Sequence, residues 1–347
     1  MKGFLKKGSI VVLPLILLLT VVNYFGDAAK IFHSDYEKEM VRILNQGFNV
    51  TNITNYDERV FQRHFIQSLK EAPDIVVLGS SRTALIGSEL LNENSVINNS
   101  VSGASIEDLL ALYQIYKSNN LLPEKFMIGI DPWMFNMNNG QTKWKSIATE
   151  YEEFLNRGND NLTFLDGLGK YSQLLSLSYF QASLPEVTKN LKGLGLPLAS
   201  EKRVNESNTK LGDGSLTYSD ALQSVSQEQV EKEVDEYLSG AIYGVEDFFE
   251  ISPAYLEQLK MLLTDMIEEE IEVSLFMAPY HPRVYSILSL DYPLVQETEV
   301  IVKNLSRDLR VTHYGSFNPS TDDLKPGDFY DGMHCKIAGI KKILKLK

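Results

Sequence analysis

Cysteine is all but missing from this sequence: Cys335 is the only one. A single thiol excludes an internal disulfide and a cysteine-rich metal site, so the chain must hold together on its apolar core alone. At 347 residues it is long enough to bury such a core, as one large α/β domain or two smaller ones. Positive charge is also short. Lysine and arginine number 33 against 46 aspartates and glutamates, a net charge of −13. A surface this acidic repels phosphate backbones and anionic headgroups, which argues against a nucleic-acid partner. Histidine is scarce as well, at five. His33, His64, His281 and His313 are scattered, with no H-E-x-x-H or paired spacing, so no metal site is expected. Three of them, His33, His64 and His313, read as structural or surface residues. No internal repeat or low-complexity tract breaks an otherwise ordinary globular composition.

One stretch stands apart for its lack of charge. Lys2, Lys6 and Lys7 precede an uncharged run from Gly8 to Phe25, closed by Gly26 and Asp27. Roughly 18 apolar-rich residues at ~1.5 Å rise just cover a ~30 Å hydrocarbon core. Lysines ahead of the run favour an N-inside orientation. The expectation is a cytoplasmic tail over 1–7, a single-pass cell-membrane anchor over 8–26, and everything after Asp27 extracytoplasmic. A cleaved signal peptide has the same charge order, but Gly26-Asp27-Ala28-Ala29 is a poor match to its cleavage site. Residues 27–71 read as a polar, helix-prone stalk. Ser34-Asp35-Tyr36-Glu37 resembles a capping box, the Asn/Thr-rich stretch Asn45 to Asn55 interrupts, and a second helix is expected over about Glu58 to Lys70.

Beyond Pro73 the pattern changes to alternating strands and helices. Asp74 to Leu78 is short, β-branched and bounded by Pro73 and Gly79, which marks a strand. Further strands are expected at Ser95 to Asn98, Phe126 to Asp131 and Val273 to Ala278, and a weaker one from near Leu309. Helical patterns fall at Ile106 to Lys117, Ala254 to Ile271 and Leu294 to Leu309. This alternation predicts a parallel sheet with helices on both faces over 72–347. The stretch from about 133 to 250 breaks the rhythm and reads as a large insertion, either a cap over the substrate side or a separate domain.

Loops at the carboxyl ends of parallel strands are where such folds place their ligands. Gly79-Ser80-Ser81-Arg82-Thr83 puts a hydroxyl at a strand-to-helix turn, beside backbone N–H groups that stabilise an oxyanion. Gly103, ahead of the next helix, offers a further N–H without steric hindrance. Near the C-terminus, Asp331-Gly332-Met333-His334 pairs a carboxylate with a histidine three residues later. The carboxylate can bind one ring nitrogen and leave the other to take a proton from serine. His281, in Ala278-Pro279-Tyr280-His281-Pro282 after a strand, is either a substrate contact or a solvated loop residue.

In that order, Gly-x-Ser, then Gly, then Asp-x-x-His resembles the SGNH/GDSL hydrolase superfamily. In particular the sequence resembles its membrane-anchored branch, which includes D-alanyl-lipoteichoic acid proteins and polysaccharide O-acetyltransferases. The resemblance implies a flavodoxin-like, three-layer α/β fold and a reaction without metal or organic cofactor. It also implies Ser81 as nucleophile and first oxyanion donor, Gly103 as second donor, His334 as general base and Asp331 as its orienting carboxylate. Ser80 is the competing nucleophile. Arg82, Asp131 and His281 are substrate-side candidates. Two positions depart from the family pattern. Ser80 replaces the usual Asp, and Gly129-Ile130-Asp131-Pro132-Trp133 lacks the asparagine that would donate to the oxyanion. Asp131 cannot replace it, because an ionised carboxylate has no hydrogen to give. The implied activity is an esterase or O-acyltransferase acting on cell-envelope glycan or glycolipid, with transfer requiring a multi-spanning acyl-delivering partner. The alternative is a non-catalytic binding or assembly subunit of the same fold.

Overall fold

The computed structural model describes residues 2–28, 32, 35–156, 170–191 and 196–346. His33 and Ser34, the start of the expected capping box, lie outside them. The uncharged N-terminal run falls within helix α1 (Lys2–Gly26). Among the described residues no helix is long and apolar enough to cross a membrane, so the expected transmembrane helix is not among the elements shown. The C-terminal end of α1 is instead joined to protein. Val22 and Asn23 are buried there, and the Asn23 amide donates to the carbonyls of Gln173, Leu174 and Ser176 at 2.9–3.0 Å. Farther up the helix Leu13, Leu15, Leu17 and Leu18 are exposed.

The stretch expected as a stalk is built into the body. Helix α2 (Asp35–Asn45), strand β1 (Asn49–Thr51) and helix α3 (Glu58–Ser68) enclose an apolar core of Tyr36, Met40, Ile43, Leu44, Val50, Phe61 and Phe65. The spacing of four between Tyr36, Met40 and Leu44 gives α2 an apolar stripe despite its polar composition.

The central sheet grows from the predicted apolar runs, β2 (Ile75–Leu78), β3 (Val96–Asn98) and β4 (Lys125–Gly129). The insertion then carries α5 (Leu177–Leu191), β5 (Leu198–Ser200), β6 (Thr209–Lys210), β7 (Leu216–Thr217) and α6 (Gln227–Ser239). Strands β8 (Glu272–Met277) and β9 (Thr312–Gly315) complete the sheet, in the order β3-β2-β4-β8-β9 with every pair parallel. Renumbered within the sheet this is 2-1-3-4-5, the flavodoxin-like doubly wound order. Alternation along each strand divides the core between the two faces. Val76, Leu78, Phe126, Ile128, Val273 and Leu275 face one cluster; Val77, Met127 and Phe276 face the other.

Helices cover both faces, giving three layers. The first cluster takes in α4 (Ile106–Ser118), α7 (Pro253–Glu268), α8 (Pro282–Asp291) and α9 (Pro293–Asp308); the second takes in α10 (Ile337–Leu344). Leu259, Leu262, Leu263 and Met266 of α7, at helical spacing, are wholly buried. Each such side chain contributes on the order of 1.5–3 kcal/mol. The insertion shares this core through Val230, Val234, Ile242 and Val245. Its strands β5, β6 and β7 form a small antiparallel sheet with β1, in which Asn49 pairs with Ser200 and Val50 with Lys210. It is therefore packed into the main body rather than set apart from it.

Candidate active site

At the end of β2 the chain must turn sharply. Gly79 has φ +149°, and a side chain there would meet Thr83 Oγ1 at 2.6 Å and the Gly129 Cα at 3.0 Å. Ser80 follows, wholly buried, and its hydroxyl accepts from the Arg82 N–H at 3.2 Å to cap the single turn Ser81–Thr83. That turn carries Ser81 to the front, where Oγ lies 2.9 Å from Nε2 of His334. Ser81, and not Ser80, faces the imidazole.

His334 stands in a tight loop between β9 and α10. The loop is closed by the Phe329–Cys335 bridge and by the Tyr330 N–H donating to the His334 carbonyl at 2.9 Å. Within it, Asp331 Oδ1 accepts from the N–H groups of Met333 and His334, both at 2.8 Å. Its Oδ2 lies 2.7 Å from His334 Nδ1. Burial pushes the Asp331 carboxyl up. The His334 ring and the two backbone N–H groups outweigh that and hold it below the usual carboxylate range. A carboxylate at Nδ1 keeps the proton there and leaves Nε2 free to accept from the Ser81 hydroxyl.

The loop after β3 runs beside the Ser81 turn, tied by the Val101 N–H donating to the Gly79 carbonyl at 2.9 Å and by Thr83 Oγ1 at 2.8 Å from Ser100 Oγ. Gly103, at φ +59°, lies two residues on. Neither the Ser81 N–H nor the Gly103 N–H has an acceptor among the described residues, so both are available to a substrate oxygen. A set of residues with no sequence motif holds this loop. Arg59, itself buried, donates to the Ser102 carbonyl at 3.0 Å and grips both Asp108 oxygens at 2.9 and 2.8 Å. Glu58 accepts from the Ser102 hydroxyl at 2.8 Å. Tyr243 and Gln141, also unanticipated, stand over Gly103.

The substrate-side candidates all lie inside the protein. Arg82 is buried and forks three ways, to Asp131 Oδ1 at 2.7 Å, to the Met333 carbonyl at 3.0 Å and to the Ala278 carbonyl at 2.5 Å. Its guanidinium also lies 4.2 Å from the Tyr280 ring centroid. A buried charge requires a partner, and Asp131 is it. His281 is neither solvated nor turned toward the serine. It is wholly buried, its Nδ1 accepts from the Arg283 N–H at 3.3 Å to cap α8, and its own N–H donates to the Gly332 carbonyl at 3.0 Å. Burial holds its pKa below the ordinary value. Cys335, next to His334 in sequence, is buried, and desolvation pushes its thiol up to about 12.

No protein-family model matches the chain, and no curated protein does. Among solved structures, it is similar to a catalytic mutant of an acetylxylan esterase from Geobacillus stearothermophilus, at 10% identity and a TM-score of 0.36, over 80% of this chain and 93% of that one. It is also similar to a protein described as a platelet activating factor from Streptococcus pneumonia, at 13% identity and a TM-score of 0.39, over 92% of this chain and 95% of that one. At these scores the likeness is one of outline and carries nothing about chemistry.

Proposed function

We propose that this chain is an SGNH-type serine esterase or O-acyltransferase working through an acyl-serine at Ser81. The observation that carries the reading is the unbroken relay from Ser81 Oγ to His334 at 2.9 Å and from His334 to Asp331 at 2.7 Å. His334 Nε2 takes the Ser81 proton as Oγ bonds to the ester carbonyl carbon. The carbonyl oxygen becomes an oxyanion facing the N–H groups of Ser81 and Gly103. His334 then returns the proton to the departing alcohol as the ester C–O bond breaks. Water, or a sugar hydroxyl, takes the acyl group from Ser81 in the second half. Arg82 and Asp131 act as positioning residues, since the guanidinium joins the ends of β4 and β8 to the loop that carries His334.

Membrane attachment through α1, an extracytoplasmic catalytic domain and a cell-envelope glycan or glycolipid substrate belong to the same proposal. They are supported by the lysines before an uncharged run and by the exposed leucines of α1. Transfer rather than hydrolysis would add a multi-spanning partner that delivers the acyl group. The reading as a non-catalytic binding or assembly subunit is favoured by one observation, the absence of an asparagine donor after β4, where Asp131 is engaged by Arg82.

A fluorophosphonate probe applied to the full chain and to Ser81→Ala separates the two. The catalytic reading expects labelling that disappears in the variant. A well-folded parent that takes up no label, and hydrolyses p-nitrophenyl acetate no faster than Ser81→Ala, would leave the binding reading standing.

A further inference from the structure

We infer that Tyr243, held by Gln141, supplies the third oxyanion donor that the end of β4 lacks. The inference rests on the acyl-serine reading above and names a further catalytic residue for it.

The need is set by Asp131. It occupies the stretch where the pattern expects a donor, carries no hydrogen as a carboxylate, and is bound to Arg82. The site is left with two backbone N–H groups. Tyr243 comes from the insertion, four residues after α6, and reaches the place where the loops after β3 and β4 meet. Its ring stands edge-on to Trp133, with centroids 5.1 Å apart at 88°. The Trp133 indole in turn donates to the Ala104 carbonyl at 3.0 Å, beside Gly103. At that junction the Tyr243 hydroxyl lies against Gly103 so closely that a methyl group built on Gly103 would overlap it.

The hydrogen bonding of the phenol gives it a direction. The Gln141 side-chain amide donates to Tyr243 Oη, and Gln141 is itself fixed by its N–H donating to Asn139 Oδ1 at 2.8 Å. Accepting from Gln141 occupies a lone pair of Oη and leaves its hydrogen to give. Among the described residues that hydrogen has no acceptor. Tyr243 is 37% exposed as a whole residue, so it is not sealed inside the protein. Burial of part of the ring raises its pKa, which keeps the proton in place near neutral pH. Glycine at 103 thus serves two ends: it frees its own N–H and makes room for the hydroxyl.

In the reaction, the π pair of the ester carbonyl moves onto oxygen as Ser81 Oγ bonds to carbon. That oxygen then accepts from the Ser81 N–H, the Gly103 N–H and the Tyr243 O–H. Tyr243 gives a hydrogen bond only; the transferred proton travels between Ser81, His334 and the leaving alcohol.

The test uses the full chain in detergent with p-nitrophenyl acetate, comparing the parent with Tyr243→Phe, Gln141→Leu and Ser81→Ala. Tyr243→Phe keeps the ring on Trp133 and should lower kcat by about 100-fold with KM within about threefold, the signature of a lost transition-state donor. Gln141→Leu leaves the ring contact untouched, frees the phenol to rotate, and should lower kcat by roughly 3- to 10-fold. Parent-level kcat in both variants, with Ser81→Ala inactive, would overturn the inference and leave the acyl-serine reading intact. So would a change confined to KM, which would mark Tyr243 as a binding contact. A parent no faster than Ser81→Ala would overturn both.

Discussion

Arg82 shows what a single side chain does here. Replacing it by Met strands the Asp131 carboxylate in a dry interior and frees two carbonyls. The expected loss is about 3–5 kcal/mol, read from the shift of the denaturant midpoint. Asp331 behaves differently, because its folded pKa is depressed. Its contribution to stability is present above the ordinary aspartate value of 3.8 and is lost as pH falls through the lower folded value. The difference in Tm between the parent and Asp331→Asn should be widest at neutral pH and close on acidification. The same variant should lose up to roughly 10⁴-fold in turnover, since an amide no longer fixes the ring tautomer. Cys335 should stay unmodified by iodoacetamide in the folded protein and react once it is unfolded, because the thiolate is the reactive form and burial suppresses it. At this scale short motifs made Ser81, Asp331 and His334 legible as a set, and the structure brings the three into one hydrogen-bonded chain. The sequence was a poor guide to Arg82 and His281, since a charge at a strand end looks alike whether it turns outward to a ligand or inward to a partner 49 residues away.

Among elements, the strands were legible because a parallel sheet buried on both faces leaves near-continuous apolar runs such as Ile75 to Leu78. Strands β6 and β7, two residues each, are too short to show a period, and β1 is hidden in an Asn/Thr-rich stretch. The small sheet they form was therefore invisible, and so was the packing of 35–68 onto the insertion. Tyr243 escaped notice for the same reason, since only the folded insertion brings it over Gly103. Helix α4 offers a test of how an element positions the site. Its capping box joins Ser105 and Asp108, and Asp108 also receives Arg59, which holds the Ser102 carbonyl. Ser105→Ala should cost about 0.5–2 kcal/mol by urea unfolding. A fall in turnover beyond what that lost stability explains would show the cap acting on the Gly103 loop.

For the whole molecule, the exposed leucines of α1 lie along its middle turns, one to three turns before its buried Asn23 anchor. Expressed in cells, the full chain should fractionate with membranes and resist extraction by high salt or carbonate, and detergent should release it. Release by salt alone would point to a peripheral association. Ser81 and His334 lie 253 residues apart in sequence, so they meet only when the loop that carries His334 is docked beside the end of β2. An unfolded or partly folded chain therefore carries Ser81 as an ordinary alcohol with no imidazole beside it. On the acyl-serine reading proposed above, reactivity arrives only when that loop docks on the sheet, so the chain stays inert until its own folding is complete.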